Sequence, residues 1–96
     1  MAEPKPLKVT ITYCAECGYE PQTLALTEAL MRAFTHQLTA IELVPWYEGS
    51  FDVAVGGTLV HSMYRDGGFP EHEKVIRAVR EQLATDGQAS RPQQVS

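Results

Sequence analysis

From residue 7 to residue 13 the chain reads Leu-Lys-Val-Thr-Ile-Thr-Tyr, apolar and polar in strict alternation. Successive side chains of an extended chain point to opposite faces. Leu7, Val9, Ile11 and Tyr13 therefore share one face, and Lys8, Thr10 and Thr12 share the other. The spacing predicts a half-buried strand with one covered face and one polar face.

The period then changes. Pro21 is tolerated in a first helical turn, where its missing N–H would have no partner. From there to about Leu38 the apolar residues Leu24, Leu26, Leu30, Met31, Phe34 and Leu38 fall on one broad helical face. That places Met31 and Phe34 in the core, with Glu28, Arg32 and Thr35 opposite. Residues 40–44 (Ala-Ile-Glu-Leu-Val) predict a second strand. Reached through a helix, it is expected to run parallel to the first. Residues 45–50 (Pro-Trp-Tyr-Glu-Gly-Ser) read as a loop.

Phe51–Val55 and Thr58–Ser62 flank Gly56-Gly57. A Gly-Gly pair can take the positive φ angles of a primed turn, so this segment predicts a hairpin. Met63 to Phe69 reads as a second loop, loosened by Gly67-Gly68, and Pro70 opens a last helix with the stripe Val75, Ile76, Val79 and Leu83. The pattern stops after Ala84. Residues 1–6 are expected to be a flexible lead-in, 7–84 the folded domain, and 85–96 a disordered tail rich in Gln, Ser, Pro and Gly. The order is strand, helix, then three strands, then helix. Two helices on one face of a four-stranded mixed sheet would bury all the apolar stripes in one core, an α+β two-layer fold.

Composition narrows the function classes. The chain has 96 residues, enough for one domain, with 44% hydrophobic and 21% charged residues and a net charge of −4. Its eight Lys and Arg are dispersed, so nucleic acid is not an expected partner. Lys74, Arg77 and Arg80 recur at helical spacing among Glu71, Glu73 and Glu81, which reads as a solvated helix face. No apolar run approaches the roughly 20 residues that span a bilayer, so no membrane partner is expected. Met1–Pro6 lacks the apolar core of a signal peptide, and the chain reads as cytoplasmic.

The chemistry lies in the only two cysteines, Cys14 and Cys17. They form a Cys-x-x-Cys pair between the first strand and the first helix. Thiols at this spacing can close on each other without moving the rest of the fold. In a cytosolic chain such a pair is catalytic, redox-sensing or metal-binding before it is a structural staple. A helix start stabilises a thiolate, whereas Glu16 and Glu20 oppose it. The balance predicts a modest lowering of the thiol pKa.

The segment Tyr13-Cys14-x-x-Cys17-Gly18-Tyr19-x-Pro21 resembles the active-site segment of the selenoprotein W-like redoxins, the Rdx family. Phe51-x-Val53-x-Val55, the turn at Gly57, Leu59-Val60-His61-Ser62 and the glycine-containing loop before the last helix are similar to that family as well. The likeness covers residues 8–84. It implies a thioredoxin-like fold and thiol–disulfide exchange at Cys14 and Cys17. No resident cofactor is implied. Glutathione is the implied co-substrate, alongside protein thiol or disulfide partners. In selenium-containing members the second motif position is selenocysteine; here it is Cys17. Analogy with thioredoxin-like proteins assigns attack to Cys14 and resolution to Cys17, while the place of selenium in those members points the other way.

Tyr19, Trp46, Tyr47 and Phe69, with Tyr64, are candidates for a partner-docking surface beside the pair; Trp46 could equally cap the edge of the core. Pro45 is the candidate for the cis-proline that faces the redox pair in thioredoxin-like folds. His61 reads as a structural histidine, His36 as exposed near a helix end and His72 as packed on the core. Two other functions stay open. One is a binding module switched by its disulfide without turnover. The other is a Cu(I) or zinc module, although a zinc site would need two more ligands, from a second chain. The expected assembly is a monomer or a weak homodimer formed through the open sheet face or the hairpin edge.

Overall fold

The computed structural model describes residues 7–90. Its elements are β1 (Lys8–Cys14), α1 (Glu20–Phe34), β2 (Ala40–Trp46), β3 (Phe51–Val55), β4 (Thr58–Ser62), α2 (Met63–Asp66) and α3 (His72–Ser90). The four strands form one sheet in the order β2-β1-β3-β4. β1 pairs parallel with β2 and antiparallel with β3, and β3 pairs antiparallel with β4. The sheet is therefore mixed, with β1 inside it.

Alternation does what the sequence says it should. Val9 and Ile11 of β1 and Phe51, Val53 and Val55 of β3 are buried, and the residues between them are not. Leu26, Leu30 and Phe34 of α1 and Val75, Ile76 and Val79 of α3 close the core from that same face. At roughly 25 cal/mol per Å² this apolar burial is the main force holding the layers together. Arg80 adds its guanidinium over the Phe34 ring, 5.8 Å from the centroid.

The buried stripe of α1 is narrower than expected. Thr23, Leu26, Leu30 and Phe34 follow i, i+3, i+4 spacing and are buried. Leu24 and Met31 are 58% and 59% exposed, not core. At about 100° per residue they sit roughly 100° from the centre of the stripe, on the flank of the helix. The helix also stops at Phe34, short of Leu38. Thr35 takes φ 48 and its N–H bonds the Met31 carbonyl, which ends the regular turn. Leu38 still packs against the core from the connection.

Three other boundaries differ. Pro45 and Trp46 belong to β2, opposite Tyr13 and Cys14, and not to a loop. β2 is an edge strand, where a missing N–H is tolerated. No cis peptide bond occurs among the described residues, so Pro45 is not the expected cis-proline. The loop after β4 contains α2, capped by the Ser62 side chain, which accepts from Arg65 N at 3.4 Å. α3 starts at His72 rather than Pro70 and runs past Ala84 to Ser90. The tail expected from residue 85 is thus helical as far as it is described; residues 1–6 and 91–96 lie outside the described residues. His72 is exposed in the first turn of α3, not packed in the core.

The hairpin turn is as expected, with Gly56 at φ 58 and Gly57 at φ 86. Gly56 is crowded as well: a Cβ there would lie 2.6 Å from Gln82 Oε1 and 2.8 Å from Leu7 Cδ1. Gln82 uses that proximity to donate to the Val55 carbonyl at 2.8 Å, tying α3 to the hairpin. Further along, the register shifts between Val53 and Ala54: Ala54 faces Leu59, whereas Val53 faces His61. Val60 is the extra residue of this bulge. One added residue turns every later side chain to the other face, and that is how His61 comes to be buried.

Candidate redox site

Cys14 is the last residue of β1, and its side chain has no exposed surface. Its N–H donates to the Ser50 carbonyl at 2.8 Å. Ala15, Glu16, Cys17 and Gly18 make a turn, and Gly18 takes φ 78, a left-handed conformation that suits glycine. The turn brings Cys17 back over Cys14. The two sulfurs are at disulfide-bonding distance, with the Cα atoms 5.3 Å apart. Cys17 is exposed. It sits in the turn ahead of α1, outside the helix itself.

The turn is held on two sides. Ala15 N donates to the Trp46 carbonyl at 3.0 Å, and Glu16 Oε2 accepts from Glu48 N at 3.3 Å. Glu48 lies in the β2–β3 connection with φ 62, and the Tyr64 hydroxyl donates to its carbonyl. Ser50, buried at the end of the same connection, donates its hydroxyl to the Tyr47 carbonyl at 2.9 Å. The connection thereby keeps a fixed shape beside the sulfurs.

The aromatic candidates divide into two groups. Tyr19, Phe69 and Phe51 pack edge to face, with centroids 4.9 Å apart for Tyr19–Phe69 and 5.0 Å for Phe51–Phe69. These rings brace the start of α1 against the loop before α3. Gln22, Ala25, Leu26, Pro70 and His72 join Phe51 and Phe69 around a cleft of about 90 Å³ there. Trp46 and Tyr47 face solvent instead, 55% and 59% exposed, with ring centroids 5.4 Å apart. Tyr64 is 67% exposed. Trp46 does not cap the core.

His61 anchors the loop that carries Phe69. Its Nε2 lies 2.8 Å from the Gly68 carbonyl, which can only accept, so Nε2 carries the proton. Nδ1 then accepts from the Lys74 ammonium at 2.9 Å. Asp66 completes the group. It takes two bonds from Arg65, at 2.9 and 2.8 Å, and one from Ser62 N at 3.1 Å, and stands 3.5 Å from Lys74 Nζ. The Arg65 guanidinium first, and then the Ser62 N–H, hold its carboxyl well below the usual carboxylate range. Asp66 gave no signal in the sequence: two of its partners, Arg65 and Ser62, are near neighbours in the chain, but no recognised motif marks the arrangement that joins them to Lys74 of α3.

Among the described residues no group of three or more His, Cys, Asp or Glu could hold a metal ion, and no helix is long and apolar enough to cross a membrane.

With this geometry in place, the chain can be set beside known proteins. Residues 8–81 match the family model described as the Rdx family. Selenoprotein W of Mus musculus is 37% identical over 83 residues, spanning 81% of this chain and 94% of that protein. Migration and invasion enhancer 1 of Bos taurus is 31% identical over 74 residues, 77% of this chain and 63% of that protein. A crystal structure of a selenoprotein W-related protein from Vibrio cholerae superposes with a TM-score of 0.78 at 24% identity, covering 82% of this chain and 99% of that one. The crystal structure of another protein, from Bordetella parapertussis, superposes with a TM-score of 0.77 at 28% identity, covering 81% of this chain and 99% of that one. The thioredoxin-like arrangement of a four-stranded mixed sheet with its long helices on one face is thus common to this chain and those structures.

Proposed function

The chain belongs to the Rdx family, and from that premise we propose that it is a thiol–disulfide redox protein that cycles Cys14 and Cys17 between a dithiol and the disulfide. The observation that carries the reading is the asymmetry of the pair: Cys17 is exposed and Cys14 is fully buried. An exposed sulfur can meet a partner's disulfide; a buried one can reach only its neighbour. This supports Cys17 as the attacking thiol and Cys14 as the resolving one, the reverse of the assignment by analogy with thioredoxin-like proteins.

The exchange has two steps. The Cys17 thiolate attacks one sulfur of a partner disulfide. A bond forms between Cys17 and that sulfur, and the partner's second sulfur leaves as a thiolate. The Cys14 thiolate then attacks the Cys17 sulfur, and the partner's first sulfur leaves. Two electrons pass from the pair to the partner, and the pair's two protons end on the partner's thiols. The partner is a protein disulfide or the disulfide of glutathione. In the reverse direction the same pair oxidises a dithiol.

Titration in glutathione buffers with mass-resolved alkylation tests this. A reversible Cys14–Cys17 disulfide in roughly the −180 to −280 mV range is expected. Cys14→Ser should trap a mixed disulfide on Cys17, and Cys17→Ser should form none. An intramolecular disulfide that no thiol buffer reduces would end the exchange reading.

A further inference from the structure

Resting on the exchange reading above, we propose that the partner's cysteine is presented by a cationic polypeptide segment that lays a Lys or Arg on the aromatic surface beside Cys17, and not by an anionic thiol such as glutathione.

The charges on the cysteine turn and on the segment bonded to it have one sign. Glu16 sits inside the cysteine turn, Glu20 opens α1, and Glu48 is joined to Glu16 through its N–H. The sequence has no Lys or Arg between Lys8 and Arg32, or between Arg32 and Arg65. The cations at those limits are already paired: Lys8 with Glu42 at 3.4 Å, Arg32 with Glu28 at 2.8 Å, and Arg65 with Asp66 at 2.8 Å. A disulfide carried by an anion meets uncompensated carboxylates as it approaches Cys17; one carried by a cation is drawn in.

The surface beside the sulfur has the matching shape. Trp46 and Tyr47 present two exposed rings 5.4 Å apart, on the chain segment that takes the Ala15 N–H. The next residue is Glu48. Exposed aromatic faces followed by a carboxylate suit the apolar stem and the charged head of a long basic side chain. Glutathione offers two carboxylates against one ammonium and no apolar stem, so it gains from neither feature.

The test uses the reduced full-length protein in a single turnover. The oxidants are disulfide dimers of short peptides whose cysteine is flanked by lysines, by serines or by glutamates, together with glutathione disulfide. Oxidation of the pair is followed by quenched alkylation and mass spectrometry. Each rate is divided by that of dithiothreitol with the same disulfide, which removes differences in intrinsic reactivity. At low ionic strength the lysine peptide should react about tenfold faster than the glutamate peptide or glutathione disulfide, by this normalised measure. The advantage should shrink several-fold in about 0.5 M salt. Replacing both carboxylates, Glu16→Gln with Glu48→Gln, should remove most of it, and Trp46→Ala should slow the lysine peptide selectively. Equal normalised rates, or a faster reaction with glutathione disulfide, would overturn the inference while leaving the exchange chemistry intact. Oxidation by none of the four would remove the exchange reading itself, a result readily told apart from equal rates.

Discussion

Glu16 Oε2 accepts the backbone N–H of Glu48 at 3.3 Å, so the turn that carries Cys17 is fastened to the β2–β3 connection by a residue placed between the two cysteines. Glu16→Ala removes the one acceptor that this N–H has among the described residues. A loss of about 0.5–1 kcal/mol is expected in urea unfolding, with faster hydrogen exchange at the Glu48 amide. Glu16→Gln keeps an acceptor oxygen and should keep the slow exchange. Equal exchange in both variants would show that the bond does not form in solution.

The flank of α1 should separate from its buried stripe on mutation. Leu30 is fully buried, so Leu30→Ala should cost about 2–5 kcal/mol through lost transfer energy and the cavity left behind. Met31→Ala, one position on, should change stability by no more than about 0.5 kcal/mol, because Met31 is 59% exposed. Denaturant melts of the two variants check both values.

Asp66 makes stability depend on acid. Its folded carboxyl is held below the unfolded value near 3.9, so its contribution is fully present above that value and is lost as pH falls below it. The wild-type protein should be more stable than Asp66→Asn at about pH 5, and the margin should narrow as pH falls below about 4. Urea midpoints measured across that range read the effect. A margin that widens in acid would contradict the sign.

Thr35 ends α1 at φ 48, a conformation that a β-branched residue rarely takes. Thr35→Gly should relieve this and stabilise the protein by about 1 kcal/mol, raising Tm by roughly 4–8 °C for a domain of this size. The Thr35 hydroxyl bonds the Phe34 carbonyl at 2.7 Å, and losing that bond is the opposing effect. A lower Tm would mean that the hydroxyl outweighs the backbone.

Much of the fold was legible because its periods are clean. The alternation of β1 and the Gly56-Gly57 turn each admit one reading, and both stand in the structure. The two cysteines of the candidate site could be picked out for the same reason: their spacing is local. What the sequence could not yield depends on groups that meet from afar. His61 is buried, in keeping with the structural role expected of it, but the added residue Val60 that turns it to that face has no signature in the alternation. Trp46 read as loop because a proline precedes it, yet the sheet edge tolerates that proline. The difference in burial between Cys14 and Cys17 arises from the strand, the turn and the β2–β3 connection together, and no spacing within the motif encodes it.

β1 is hydrogen-bonded along both its edges and ends at Cys14. Strands paired on both sides belong to the high-stability end of a domain's local openings. The buried sulfur is thus attached to a strand paired on both sides, and the exposed sulfur to a turn held at its margin. On the proposed exchange, making and breaking the bond between them should leave the sheet in place and confine any change to the turn. The two redox states should therefore share their slowest-exchanging amides, including those of Val9 and Ile11, and differ only among the amides from Ala15 to Gly18 and in the connection that Glu16 touches. On that reading the sheet is a stationary post, and the proposed chemistry stays within the few residues tethered at its end.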